Sequence, residues 1–130
     1  MIIDTSALVA IFANEPEREQ FLEAITSSSE CAVAAPTLLE TSLVLSKFGP
    51  QLDAWLQRFV REAAITIVPF DETHLAAAQK ANLRYGRTSG HPAKLNFGDC
   101  FSYAACTVSG RPLLFKGTAF SKTDIVSAVS

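Results

Sequence analysis

This sequence predicts an α/β fold with a central, mostly parallel sheet covered by helices on both faces. Three observations lead there. Short apolar, β-favouring runs alternate with longer segments of helical periodicity. Each run is too short for a helix, and being apolar throughout it reads as a strand buried on both sides. No repeat or low-complexity tract breaks the alternation.

Met1–Asp4 is the first expected strand, followed by helices over Ser6–Ala13 and Glu17–Ser27. Cys31–Ala35 is the second strand. Two helices come next, Thr37–Phe48 with Leu39, Leu43 and Val44 on one face, and Leu52–Ala63 with the stripe Leu52, Trp55, Leu56, Phe59, Val60. Gly49-Pro50 separates them as a helix stop. The Trp55 stripe is expected in the core; any exposed part would serve a second copy or a partner. Ala64–Phe70 is the third strand, and Glu72–Arg84 a helix capped by Asp71, with His74 in its first turn as a surface or capping residue. After the polar stretch from Tyr85 to Asn96, Asp99–Ser109 forms a helix and Pro112–Lys116 the last strand.

At 130 residues and 48% hydrophobic content, the chain suits one domain, residues 1–130, with a single packed core. Eleven basic against thirteen acidic residues exclude a nucleic-acid binder working by bulk positive charge. Cys31, Cys100 and Cys106 form no CxxC, and His74 and His91 lack zinc-ligand spacing, so neither a disulfide framework nor a structural zinc is expected. Cys100 has no partnered His and reads as a small core residue. Asp4 interrupts an apolar start that has no basic leader, which argues against a signal peptide or a membrane span and for a cytoplasmic protein.

Ligands of such sheets gather at the carboxyl ends of the strands. Asp4 ends the first strand, Glu40 lies one turn into the third helix, and Asp99 opens the last. Each has a plain alternative: Asp4 and Asp99 as helix caps, and Glu40 as the closing member of a Thr37-Leu-Leu-Glu40 capping box. Together they suggest more. Three carboxylates converging on one sheet edge repel, helix dipoles offset only about 0.3–1 kcal/mol each, and Mg²⁺ or Mn²⁺ suits an open cluster of oxygens.

The sequence around these acids resembles the PIN-domain superfamily, and within it the VapC-type toxins of toxin–antitoxin pairs. The resemblance runs through Ile3-Asp4-Thr5-Ser6-Ala7-Leu8, Leu39-Glu40, Leu95-Asn96-Phe97-Gly98-Asp99-Cys100-Phe101-Ser102-Tyr103-Ala104, Pro112-Leu113-Leu114-Phe115-Lys116-Gly117 and Phe120-Ser121-Lys122-Thr123-Asp124-Ile125. It implies a three-layer α/β/α sandwich and a Mg²⁺- or Mn²⁺-dependent endoribonuclease that hydrolyses RNA by metal-activated water, leaving a 5′-phosphate and a 3′-hydroxyl. Asp4, Glu40 and Asp99 fall on the family's first three acidic positions, with Asp99 favoured to orient the attacking water. Thr5 and Ser6 support the metal edge. At the fourth acidic position this chain has Ala119. Either Asp124 supplies the missing ligand, or the site works with three acids, or catalysis is weakened and the chain is an RNA- or protein-binding module.

Setting aside Asp4, Glu40, Asp99 and Asp124, eleven bases remain against nine acids. Arg84, Arg87 and Lys94, with Lys116 near the last strand, are the candidate RNA contacts. Tyr85 and Phe97 bracket the loop as candidate base-stacking groups, although burial is the expected fate of Phe97. The resemblance also implies a VapB-type antitoxin, a homodimer and no membrane. A receiver-like domain is the remote competitor, because Asp4 stands without the adjacent acid such a site needs.

Overall fold

In the computed structural model, which describes residues 1–130, four strands form one parallel sheet in the order β3-β2-β1-β4. They are β1 (Ile2–Ile3), β2 (Ala32–Ala34), β3 (Thr66–Val68) and β4 (Leu113–Leu114). Six helices connect and cover them: α1 (Thr5–Phe12), α2 (Arg18–Ser27), α3 (Ala35–Leu45), α4 (Gln51–Glu62), α5 (Glu72–Tyr85) and α6 (Phe97–Ser109).

Strand periodicity creates the layers. Because successive side chains point to opposite faces, Ile2, Ala32, Ala34 and Leu113 join the α5–α6 cluster of Ala78, Ala81, Leu95, Ala104 and Phe120. Their neighbours Ile3, Val33 and Leu114 join the opposite cluster, with Leu8, Ile11, Phe21, Leu45 and Leu56. The result is the expected α/β/α sandwich. β1, β2 and the edge strand β4 are buried throughout, whereas β3, expected to be covered on both sides, lies at the other edge with Thr66 and Ile67 exposed. No helix is long and apolar enough to cross a membrane.

Helix boundaries follow local chemistry, and several differ from the sequence reading. The third helix begins at Ala35, not Thr37, with Pro36 in its first turn. Thr37 is therefore interior and buried, and it forms no capping box with Glu40. The last helix starts two residues early because Asn96 and Asp99 build a reciprocal capping box; Gly110, left-handed at φ 71°, ends it. Asp71 and His74 form a second such box, and His74 is buried by it. Trp55, expected in the core, is more than half exposed, as are Leu39 and Leu43 on the third helix.

Leu56 has no exposed surface and pins α4 to the core, while Leu39 is 63% exposed. Leu56→Ala is expected to lower the unfolding free energy by about 2–5 kcal/mol, and Leu39→Ala by less than about 0.5 kcal/mol. Urea denaturation of both variants checks the contrast.

Candidate active site

The carboxyl ends of β1 and β2 deliver Asp4 and the start of α3 to one edge of the sheet. Asp4 is 4% exposed, and a carboxylate buried so deeply requires hydrogen-bond donors. It has three. Ser6 N and Ser6 Oγ donate to Oδ2 at 3.0 and 2.6 Å, and Ser102 Oγ donates to Oδ1 at 2.6 Å. Asp4 thus caps α1 and is also tied to α6 across 98 residues of chain. The Lys116 backbone N–H donates to Ser6 Oγ at 2.9 Å, which fixes the exit of β4 to the same point.

Glu40 is held by a separate set of hydroxyls. Thr5 Oγ1 donates to its Oε1 at 2.7 Å, and Thr41 Oγ1 lies 3.2 Å behind Thr5 while donating to the Thr37 carbonyl at 2.9 Å. Its carboxylate rests on Gly98, where an added methyl would overlap it. Gly98 is therefore required by close approach of a side chain rather than by an unusual backbone angle.

Asp99 completes the group. Its backbone N–H donates to Asn96 Oδ1 at 2.8 Å, and its own Oδ2 accepts from Asn96 N at 3.0 Å. Burial pushes its carboxyl up to about 6, and the nearby negative charges of Asp4 and Glu40 add to the rise. The Asn96 hydrogen bond and the Arg87 guanidinium act in the opposite direction without cancelling it. Asp4 and Glu40 are thus both within electrostatic reach of Asp99.

Other expected members lie elsewhere or are engaged. Asp124 does not join the acids. It accepts from the Tyr103 hydroxyl, stands 3.6 Å from Arg84, and shares a cavity with Gly110, Arg111 and Pro112, which precede β4 at the sheet's amino edge. Arg84 belongs to that far cluster and lies over the Tyr85 ring. Lys116 Nζ is taken up by Glu15 and Glu17 at 3.2 and 3.3 Å. Ala119 packs on the α5–α6 core. Arg87 and Lys94 are exposed and make no ion pair. Tyr85 is buried, which removes it from any stacking role, whereas Phe97, expected inside, is 82% exposed.

Ser102 was not singled out by sequence reasoning. The signal was the one serine in the otherwise apolar and aromatic run Phe101–Cys106, three residues after Asp99: placed inside, its hydroxyl needs an acceptor, and Asp4 provides one. Cys100 and Cys106 are buried, and burial raises both thiols, Cys106 to about 12. Neither is a thiolate nucleophile at neutral pH.

A family model described as "PIN domain" matches residues 1–126. The chain belongs to the PIN-domain family. Its relatives place this PIN domain in the VapC branch. It is 45% identical to "Ribonuclease VapC" of Mycolicibacterium smegmatis, over 98% of both chains. It is 42% identical to "Ribonuclease VapC30" of Mycobacterium tuberculosis, over 98% of this chain and 97% of the other. In fold it matches the crystal structure of Mycobacterium tuberculosis VapC20, described as a sarcin–ricin loop cleaving toxin, with a TM-score of 0.79 at 16% identity, covering 99% and 98% of the two chains. A toxin–antitoxin complex from Klebsiella pneumoniae matches with a TM-score of 0.72 at 19% identity, covering 98% and 96%.

No three His, Cys, Asp or Glu side chains of this PIN domain stand close enough to form a ready-made metal cage. The donors around Asp4, Glu40 and Asp99 are all oxygens, and Glu40 Oε2 and Asp99 Oδ1 accept no hydrogen bond. This open set fits a hard cation that keeps several waters and takes only one or two carboxylates, as Mg²⁺ does.

The raised Asp99 carboxyl gives a stability prediction with a definite sign. The folded chain holds this proton up to about pH 6, against an ordinary value of 3.8. Without a cation, folded stability therefore falls as pH rises from about 4 through 6. In EDTA, Asp99→Asn is expected to melt above the parent at pH 8, with the difference vanishing near pH 4. A difference independent of pH in differential scanning calorimetry contradicts the assignment.

Proposed function

We propose that this PIN domain is a divalent-metal-dependent endoribonuclease, the toxin of a toxin–antitoxin pair. The observation that carries the reading is the convergence of Asp4, Glu40 and Asp99, in which Asp99 has its proton affinity raised by burial and by the other two charges. Relatives named ribonuclease VapC at 42–45% identity over nearly the whole chain support it.

Asp4, Glu40 and Asp99 would hold Mg²⁺ or Mn²⁺, one or two of them directly and the remainder through its waters. When bound, the ion supplies Lewis acidity that neutralises phosphoryl charge and makes water a better nucleophile near neutral pH. Ser6 and Ser102 keep the Asp4 carboxylate in one orientation, and Thr5 does so for Glu40. Asp99, whose carboxylate accepts a single hydrogen bond and keeps Oδ1 open, accepts the proton of the attacking water. Arg87 and Lys94 face solvent and receive neighbouring phosphates of the strand. No protein nucleophile takes part; water attacks phosphorus and the 3′-oxygen leaves, giving the 5′-phosphate and 3′-hydroxyl that the family resemblance implies.

The site operates with three acids, since Asp124 lies at the opposite edge and Ala119 belongs to the core. A binding role without catalysis, the reading Ala119 suggests, has less support because the other three acids gather. The partners proposed are a VapB-type antitoxin and a second copy of the chain, in the cytoplasm. A groove lined by Phe12, Leu22, Trp55 and Phe59, with Arg18 and Arg58 at its sides, offers an apolar seat for an antitoxin segment.

Single-stranded RNA incubated with the protein and Mn²⁺ is expected to be cut, and EDTA to stop the reaction. Asp99→Asn is expected to lower the rate by at least about 100-fold, because a proton acceptor and a ligand are lost together. Gly98→Ala is expected to abolish most cleavage by displacing Glu40, while far-ultraviolet circular dichroism stays unchanged. An Asp99→Asn variant as active as the parent refutes the proposal.

A further inference from the structure

Beside the acids lies a cavity of about 380 Å³ that the cleavage chemistry leaves unused. Asn96, which exchanges two hydrogen bonds with Asp99, lines the cavity with Phe97 and Cys100, and Arg87 of the same lining is near enough for its charge to act on Asp99, so the cavity adjoins the acids. Three aromatic rings shape it. Phe101 packs edge-on against Phe70 and Phe97, with ring centroids 5.3 and 4.7 Å away. Phe97 is 82% exposed, a placement that costs apolar hydration unless something covers the ring.

The polar groups of the cavity are equally selective. Gln79 and Asn82 contribute side-chain amides that make no hydrogen bond within the protein. Arg87 stands at the rim, and no acidic residue lines the cavity. Flat apolar walls, free amides and one cation, contiguous with a phosphodiester site, are the features that hold a splayed base: aromatic rings cover its faces and amides read its edge.

We propose that this cavity binds one unstacked nucleobase of single-stranded RNA, next to the phosphate held at Asp4, Glu40 and Asp99. Phe97 covers the base, Gln79 and Asn82 contact its hydrogen-bonding edge, and Arg87 meets the phosphate that joins it to the chain. The inference rests on the ribonuclease reading for the location of the phosphate, and it makes the cavity a determinant of which RNA is cut.

The test compares the parent with Phe97→Ala, a change at an exposed position, on an RNA oligonucleotide and on versions abasic at either nucleotide flanking the cut. On intact RNA, Phe97→Ala is expected to raise KM about ten-fold with kcat unchanged, the size of one lost stacking contact. On one of the abasic RNAs, parent and variant are expected to have the same KM. An unchanged KM on intact RNA, or an equal rise on every abasic RNA, overturns the proposal. So does sedimentation showing that Phe97→Ala turns a dimer into a monomer with the same losses on all substrates, because the cavity then belongs to a second copy. If the parent cuts no RNA in Mn²⁺, the ribonuclease reading fails, and the cavity is judged by binding alone. RNA carrying 2-aminopurine is then expected to be quenched by the parent and not by Phe97→Ala, and equal quenching overturns the proposal.

Discussion

Asp4 is the point at which the molecule is tied together. A carboxylate this deeply buried is tolerable only while its donors stay in place, and those donors come from different parts of the chain: Ser6 in α1, Ser102 in α6 and, through Ser6, the backbone of Lys116 beyond β4. These hydrogen bonds join the two helical layers to the sheet at one location. The hydrophobic clusters above and below set the distance between layers, whereas the buried acid sets their register.

The site then adds a second constraint that opposes the first. Glu40 and Asp99 bring further negative charge to the same edge, and the protein accommodates it unevenly. Glu40 receives a hydroxyl and lies on a glycine that leaves it room, while Asp99 has only the Asn96 backbone N–H and holds its proton to higher pH. Under the proposed function, this uneven treatment of like charges would separate their roles, leaving two anchored acids and one able to exchange a proton.

Much of this was legible in the sequence because burial patterns are local. Alternating residues such as Ile2 and Ile3 already indicate a strand with two covered faces, and the order of acids along the chain maps onto strand ends once the sheet is parallel. What could not be read was tertiary. Leu39 and Leu43 lie on a helix apolar enough on several sides that periodicity does not choose the inward one. Asp124 looked available because nothing local shows that the chain after Phe120 passes to the amino edge of the sheet, where Tyr103 and Arg84 engage it. The start of α3 was displaced by Thr37, which resembles a cap in sequence and is in fact interior, Pro36 having opened the helix without one.

The pairing of Lys116 with Glu15 and Glu17 carries a consequence for how this surface meets a polyanion. A cation already compensated inside the protein displaces few counterions when a phosphate chain approaches, and Arg84, held near Asp124, contributes from the wrong edge. Of the four cations the sequence offered for RNA, Arg87 and Lys94 are the two left without an ion pair, so a strand bound as proposed would gain little from counterion release and depend weakly on ionic strength. Under the proposed function, selection among strands would then pass from the length of the charged backbone to the shape of what hangs from it.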